Sequence, residues 1–191
     1  MNNPKNITGF ILAGGKSTRM GTDKGLMIFN GKPMINWVIE SLQNSVEELI
    51  IVSDNQAYND YGYKIISDLI PGKGPVGGIY TALQFSKTEL NFIVSCDMPF
   101  IKKEIVQFII DSYNNAGICI PSSYGRIQPL AGIYKKSCAE IFLSAIQSDE
   151  LKLQSLLKRI NTSVIELDNF FAAELFQNMN TPDDIKKAMK L

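Results

Sequence analysis

The 191-residue sequence contains no histidine. Without an imidazole, a Ser-His-Asp triad, a histidine general base and a histidine-ligated metal are all excluded. Cysteine is scarce: Cys96, Cys119 and Cys138 stand far apart and form no C-x-x-C pair. That pattern suits reduced thiols in a cytoplasm and argues against a disulfide framework or a zinc knuckle. Net charge is lacking too, because Lys+Arg and Asp+Glu both number 19. Broad capture of nucleic acid or anionic membrane is therefore not expected, while a local basic site for a small phosphorylated ligand stays open. No apolar run approaches the roughly 20 residues that cross a bilayer. Residues 1–6 are polar and lead directly into a strand-like segment, so no signal peptide is expected.

What is present is an ordinary globular balance, 45% hydrophobic and 20% charged, in a chain long enough for one sizeable core. No linker, repeat or low-complexity stretch divides it, so residues 1–191 are read as one domain. Short apolar runs alternate with segments of helical period. Strands are expected at residues 7–12, 49–52, 64–67, 91–95, 118–120, 130–134 and 163–167. Helices are expected from Pro33 through Leu42, at residues 78–85, from near Lys102 to Ile110, and at residues 137–146 and 151–160. A last helix is expected from Thr181, with Pro182 at its first position and Asp183 and Asp184 in its first turn. This alternation predicts a three-layer, Rossmann-like α/β fold with a mostly parallel sheet covered by helices on both faces.

In such sheets ligands bind beyond the carboxyl ends of the strands. After the first strand comes Leu12-Ala13-Gly14-Gly15-Lys16-Ser17-Thr18-Arg19-Met20-Gly21-Thr22-Asp23-Lys24. Gly14, Gly15 and Gly21 permit a tight backbone whose amides can approach phosphates. Ser17 and Thr18 add hydroxyls, and Lys16, Arg19 and Lys24 add the cations that suit a triphosphate. The run is no Walker A, since Thr22-Asp23 follows Gly21, and no G-x-G-x-x-G, since Gly14 and Gly15 are adjacent. The competing reading is a solvated turn with incidental charge.

Two aspartates follow later strands. Asp97, in Cys96-Asp97-Met98-Pro99, is suited either to hold Mg²⁺ against ligand phosphates or to shape a turn before Pro99. Asp68 precedes Pro71-Gly72-Lys73-Gly74-Pro75-Val76-Gly77-Gly78, a run that brings backbone near a ligand and opens a helix whose N-terminus can face an anion. Its competing reading is a loop aspartate that caps or bends the chain.

These residues, in this order, closely resemble the molybdenum cofactor guanylyltransferase family, within the larger group of nucleotidyltransferases acting on sugars and related phosphates. Leu12-Ala13-Gly14-Gly15, Ser17, Arg19-Met20-Gly21 and Asp23-Lys24 resemble its signature loop, and Cys96-Asp97-Met98-Pro99 its Cys-Asp-x-Pro segment. The Pro71 to Gly78 run, Pro129-Leu130-Ala131-Gly132-Ile133-Tyr134 and Asn178-Met179-Asn180-Thr181-Pro182-Asp183-Asp184 match further family segments. The resemblance implies Mg²⁺-dependent transfer of GMP from GTP to molybdopterin or its molybdenum-bearing form, releasing pyrophosphate. It implies Arg19, Lys24 and Asp97 as catalytic residues, with Asp97 on the metal. It places the nucleotide against Leu12, Ala13, Gly14, Gly15, Lys24, Asp68 and Asp97. Gly78, Asn178 and Asn180 are implied on the pterin side, where Arg126 and Gln128 are further candidates by position. Some family members have an asparagine near position 53, where this chain has Ser53 and then Asn55, so that contact is not carried over. Partner proteins that hand on the pterin or accept the product are also implied. A cytidylyltransferase acting on molybdopterin or on a sugar or alcohol phosphate is the alternative enzyme. A nonenzymatic nucleotide-binding protein is the alternative of another class, and it would be expected to have lost Lys24 or Asp97.

Overall fold

A computed structural model describes residues 6–14, 23–176, 179 and 184. Its main sheet runs β10-β7-β9-β6-β1-β4-β5. These strands are β1 (Ile7–Leu12), β4 (Glu48–Val52), β5 (Lys64–Ile66), β6 (Leu90–Ser95), β7 (Ile118–Ser123), β9 (Ala131–Lys135) and β10 (Thr162–Glu166). The central strands form because their apolar side chains alternate between two buried faces. In β1, Ile7 and Ile11 point into one cluster with helices α1 (Met34–Leu42) and α3 (Lys103–Asp111). Phe10 and Leu12 point into the other, with α2 (Gly74–Phe85), α4 (Ala139–Gln147) and α5 (Leu153–Leu157). The three-layer expectation therefore holds. Among the described residues, no helix is long and apolar enough to cross a membrane.

The sheet is more mixed than a run of βαβ units. β6 pairs parallel to β1, but β9 pairs antiparallel to both β6 and β7. The cause is chain length: residues 124–130 leave no room for the crossover of a dozen or more residues that parallel pairing requires. Instead Tyr124 and Gly125, both at positive φ, turn the chain into the short β8 (Arg126–Ile127), which pairs with β7.

Other boundaries moved for local reasons. α2 starts at Gly74, four residues before the helical pattern becomes visible, because Pro75 has the fixed φ that suits a first turn. The helix expected from residue 137 is a short 3₁₀ turn, Lys136–Cys138, followed by α4. The helix expected at 151–160 shrinks to α5, whose Leu157 carbonyl accepts from the Thr162 hydroxyl at 2.9 Å. A hairpin of β2 (Ile28–Phe29) and β3 (Lys32–Pro33) precedes α1, turning through Asn30 and Gly31 at φ 46° and 85°. The helix expected from Thr181 lies outside the described residues.

Gly132 in β9 sits where a side chain cannot. A Cβ there would lie 2.5 Å from the Cys119 carbonyl oxygen and 2.7 Å from Ile120 Cγ2. Gly132→Ala should cost about 1–3 kcal/mol as overpacking. A fall in Tm of roughly 3–10 °C is the expected thermal signature; an unchanged Tm would contradict this account of the β7–β9 junction.

Candidate active site

β1, β4, β5 and β6 are parallel, so their carboxyl ends share one edge. Register aligns Leu12 with Val52 and with Ser95, and Val52 with Ile66. The ladder extends one residue further: Ala13 N donates to Val52 O at 2.9 Å, Ser53 N to Ile66 O at 2.9 Å and Cys96 N to Leu12 O at 3.1 Å. Whatever follows these residues is thereby carried to a common rim. Gly14, Ser53, Asp68 and Asp97 are those followers.

Asp97 is 7% exposed, so its carboxylate needs partners within the protein. The Ser95 hydroxyl donates to Oδ1 at 2.7 Å, and Lys24 Nζ lies 3.1 Å from Oδ2. The two side chains of this ion pair are 25% and 10% exposed, which sets it apart from a solvated surface pair. The Asp97 carbonyl accepts the amide of Met179 at 2.9 Å, and Met179 is itself buried beside Phe29 and Met34.

Lys24 arrives there from a short 3₁₀ turn, Lys24–Leu26, capped by Asp23. The Asp23 carboxylate accepts from Gly25 N at 3.0 Å, from Asn55 Nδ2 at 3.0 Å and from the Tyr58 hydroxyl. Burial above all pushes the Tyr58 phenol up, so it is protonated and donates. Burial likewise raises the Cys96 thiol, with the charges of Asp97 and Asp23 adding to the effect and that of Lys24 opposing it, which favours the neutral thiol.

Asp68 lies beside the glycine-rich run: a Cβ on Gly14 would be 3.7 Å from Asp68 Oδ2. Thr81 holds it from α2, donating to Oδ1 at 3.4 Å while accepting from Leu69 N at 3.0 Å. Burial, then the nearby charge of Asp54, raises the Asp68 carboxyl above its ordinary value, and the Thr81 bond only partly opposes them. Its charge is therefore poorly compensated in the folded chain.

The structure thus gathers Leu12, Ala13, Gly14, Lys24, Asp68 and Asp97 at one rim. It also amends how two residues act. The Ala13 amide, expected among those holding a nucleotide, is already used by Val52 O, so that donor belongs to the sheet. Gly78 is buried in the second turn of α2, where a Cβ would come within 3.3 Å of both Leu12 methyl carbons. Its visible work is to let α2 close on β1. Arg126 is exposed on β8, and Gln128 N donates to Pro121 O at 2.8 Å, both at the β7 end of the edge. Gly15, Arg19, Asn178 and Asn180 lie outside the described residues.

Sequence reasoning missed Ser95, Thr81 and Tyr58, and it weighed Asn55 only as a nucleotide contact that was not carried over. Ser95 lies two residues before Asp97 on a strand, and Thr81 is a polar residue on the buried side of α2; both were visible signals. Asn55 and Tyr58 bond Asp23 across more than 30 positions, which no spacing reveals. Ser53, where a family asparagine was missing, donates to Ala13 O at 3.0 Å and accepts from Asn55 N at 3.1 Å.

Among the described residues, no group of three or more acidic or cysteine side chains forms a ready-made metal cage. One buried carboxylate, Asp97, still fits Mg²⁺, which typically takes one or two carboxylates together with substrate phosphates and waters.

Known proteins share this sequence pattern and this fold. Residues 9–164 match the model of the MobA-like NTP transferase domain. A Flavobacterium johnsoniae protein described as a probable molybdenum cofactor guanylyltransferase is 40% identical over 183 residues, covering 94% of each chain. A Clostridium perfringens protein of the same description is 35% identical, again over 94% of each. Among solved structures, molybdopterin-guanine dinucleotide biosynthesis protein A from Archaeoglobus fulgidus superposes with a TM-score of 0.80 at 27% identity, covering 96% of this chain and 97% of that one. The 4-diphosphocytidyl-2C-methyl-D-erythritol synthase of Anaerococcus prevotii, at 14% identity and TM-score 0.76, covers 98% of this chain and 96% of its own, and shares the fold.

The raised Asp68 carboxyl has a definite consequence for stability. As pH climbs past the ordinary carboxylate range, the unfolded chain gives up its proton first, and native stability falls until the folded group also ionises. Asp68→Asn removes that penalty. Its Tm should exceed that of the unmodified protein by roughly 1–3 °C at pH 7, and the advantage should vanish below about pH 4. A lower Tm for Asp68→Asn at pH 7 would contradict the assignment.

Proposed function

We propose that this chain, which belongs to the MobA-like NTP transferase family, transfers GMP from GTP to molybdopterin or its molybdenum-bearing form. The observation that carries the site is Lys24 Nζ at 3.1 Å from Asp97 Oδ2, on the rim where Gly14 and Asp68 also meet. Choice of GTP and of the pterin rests on the relatives, which are molybdenum cofactor guanylyltransferases by description.

In the reaction, a terminal phosphate oxygen of the pterin forms a bond to the α-phosphorus of GTP. The bond from that phosphorus to the bridging α–β oxygen breaks, and pyrophosphate leaves with the electron pair. A phosphate monoester has a second pKa of about 6, so the attacking group is mostly dianionic near neutral pH. No proton must be removed, which accords with a chain that has no histidine. Catalysis then consists of alignment and charge neutralisation. Asp97 would hold Mg²⁺ against the phosphates, and the ion would supply charge neutralisation there. Lys24, already beside Asp97, faces the triphosphate and offsets charge on the departing pyrophosphate, with Arg19 as its companion from the loop. Gly14 lets the nucleotide approach the backbone beside Asp68, which accepts from the base or ribose. Asn178 and Asn180 are assigned to the pterin; they flank Met179 in sequence, whose amide donates to the Asp97 carbonyl. Gly78 acts by setting α2 against Leu12.

The three buried free thiols are in keeping with a cytoplasmic setting, and proteins that deliver the pterin or receive the dinucleotide cofactor are the expected partners. Lys24→Ala and Asp97→Ala, each checked for an intact thermal transition, should lower GTP-dependent pyrophosphate release by roughly 100-fold or more. Near-normal release by either variant would remove that residue from the mechanism.

A further inference from the structure

Asp23 stands next to Lys24, yet its carboxylate is committed inward. It accepts from Gly25 N, Asn55 Nδ2 and the Tyr58 hydroxyl. Asn55 has no freedom to turn its amide round, because its Oδ1 accepts from Ala57 N at 3.0 Å while its Nδ2 serves Asp23. Tyr58 is fully buried, and its phenol reaches out of the core to the carboxylate.

Gly25 shows how closely the Lys24 turn is seated. A Cβ on Gly25 would overlap the Tyr58 hydroxyl, and it would also come within 3.3 Å of Cys96 Cβ and Sγ. The turn is therefore wedged between Tyr58 and the residue immediately preceding Asp97. The same segment reaches the other end of the glycine-rich run, where Ser53 Oγ donates to Ala13 O at 3.0 Å. Residues 53–58 thus hold both ends of that run.

We infer that Asn55 and Tyr58 are positioning residues for Lys24, acting through Asp23 to fix the turn from which the lysine meets the nucleotide phosphates. The inference rests on the reading of Lys24 as a phosphate-binding residue. A long lysine side chain loses much rotamer freedom when held, and an anchored backbone lessens what the ligand must order. Loss of the anchor is then felt as weaker nucleotide binding, and only as long as the Lys24 ammonium is present to be positioned.

A double-mutant cycle reads this directly. Mg²⁺–GTP binding is measured by calorimetry for the unmodified protein, Tyr58→Phe, Lys24→Ala and the double variant, with thermal unfolding recorded for each. Lys24→Ala should weaken binding roughly tenfold or more, and Tyr58→Phe about fivefold. In the Lys24→Ala background, Tyr58→Phe should change Kd by less than about twofold. An equal loss in both backgrounds, which a merely structural role would give, would overturn the inference, as would no loss in either. Asn55→Ala runs the same cycle without touching the buried ring and decides the matter should Tyr58→Phe fail to fold. Unchanged binding by Lys24→Ala would instead sink the phosphate-binding reading itself, and the positioning role with it.

Discussion

A single nearly buried carboxylate, Asp97, sets the terms for the strand edge. A charge so placed demands donors, and β6 brings one in Ser95, two residues earlier on the same strand. The other must come from outside the strand, and it is the ammonium of Lys24. The Lys24 turn is in its own right held in place, through Asp23, by Asn55 and Tyr58. A carboxylate and an ammonium paired at a strand edge suit a polyanionic ligand, because each complements the charge that phosphates or their cation bring.

Asp68 presents the opposite arrangement. Its neighbours are a hydroxyl from Thr81 and the negative charge of Asp54, so burial is opposed by one weak bond. Asp97 is compensated and Asp68 is strained, although the two share one rim. Functional sites commonly hold such uncompensated groups at some expense to stability. A donor from a base or ribose would supply what the folded chain withholds.

The layers and most strands were legible because apolar side chains of β1, β4 and β6 leave continuous runs. The rim was legible because turn residues follow those runs directly. Two features went unread although the signals were there. Asn30-Gly31 is a strong short-range hairpin signal, and the brief 124–130 connection already rules out β9 lying parallel beside β7. Others could not be read, since they depend on residues distant in sequence. Nothing local tells that Gly78 is small so that α2 can sit on Leu12, or that Tyr58 donates to Asp23. Ala13 shows a subtler limit: its place at the rim was correct, but the amide expected to meet phosphate completes the sheet instead.

Guanylyl transfer at this rim is tested by identifying the product. The protein would be incubated with molybdopterin, Mg²⁺ and equal concentrations of GTP and CTP, and the pterin products resolved by mass. The expected product is a pterin carrying one GMP, formed together with one pyrophosphate. Formation of the CMP adduct alone, or recovery of unmodified pterin beside intact GTP, would contradict it.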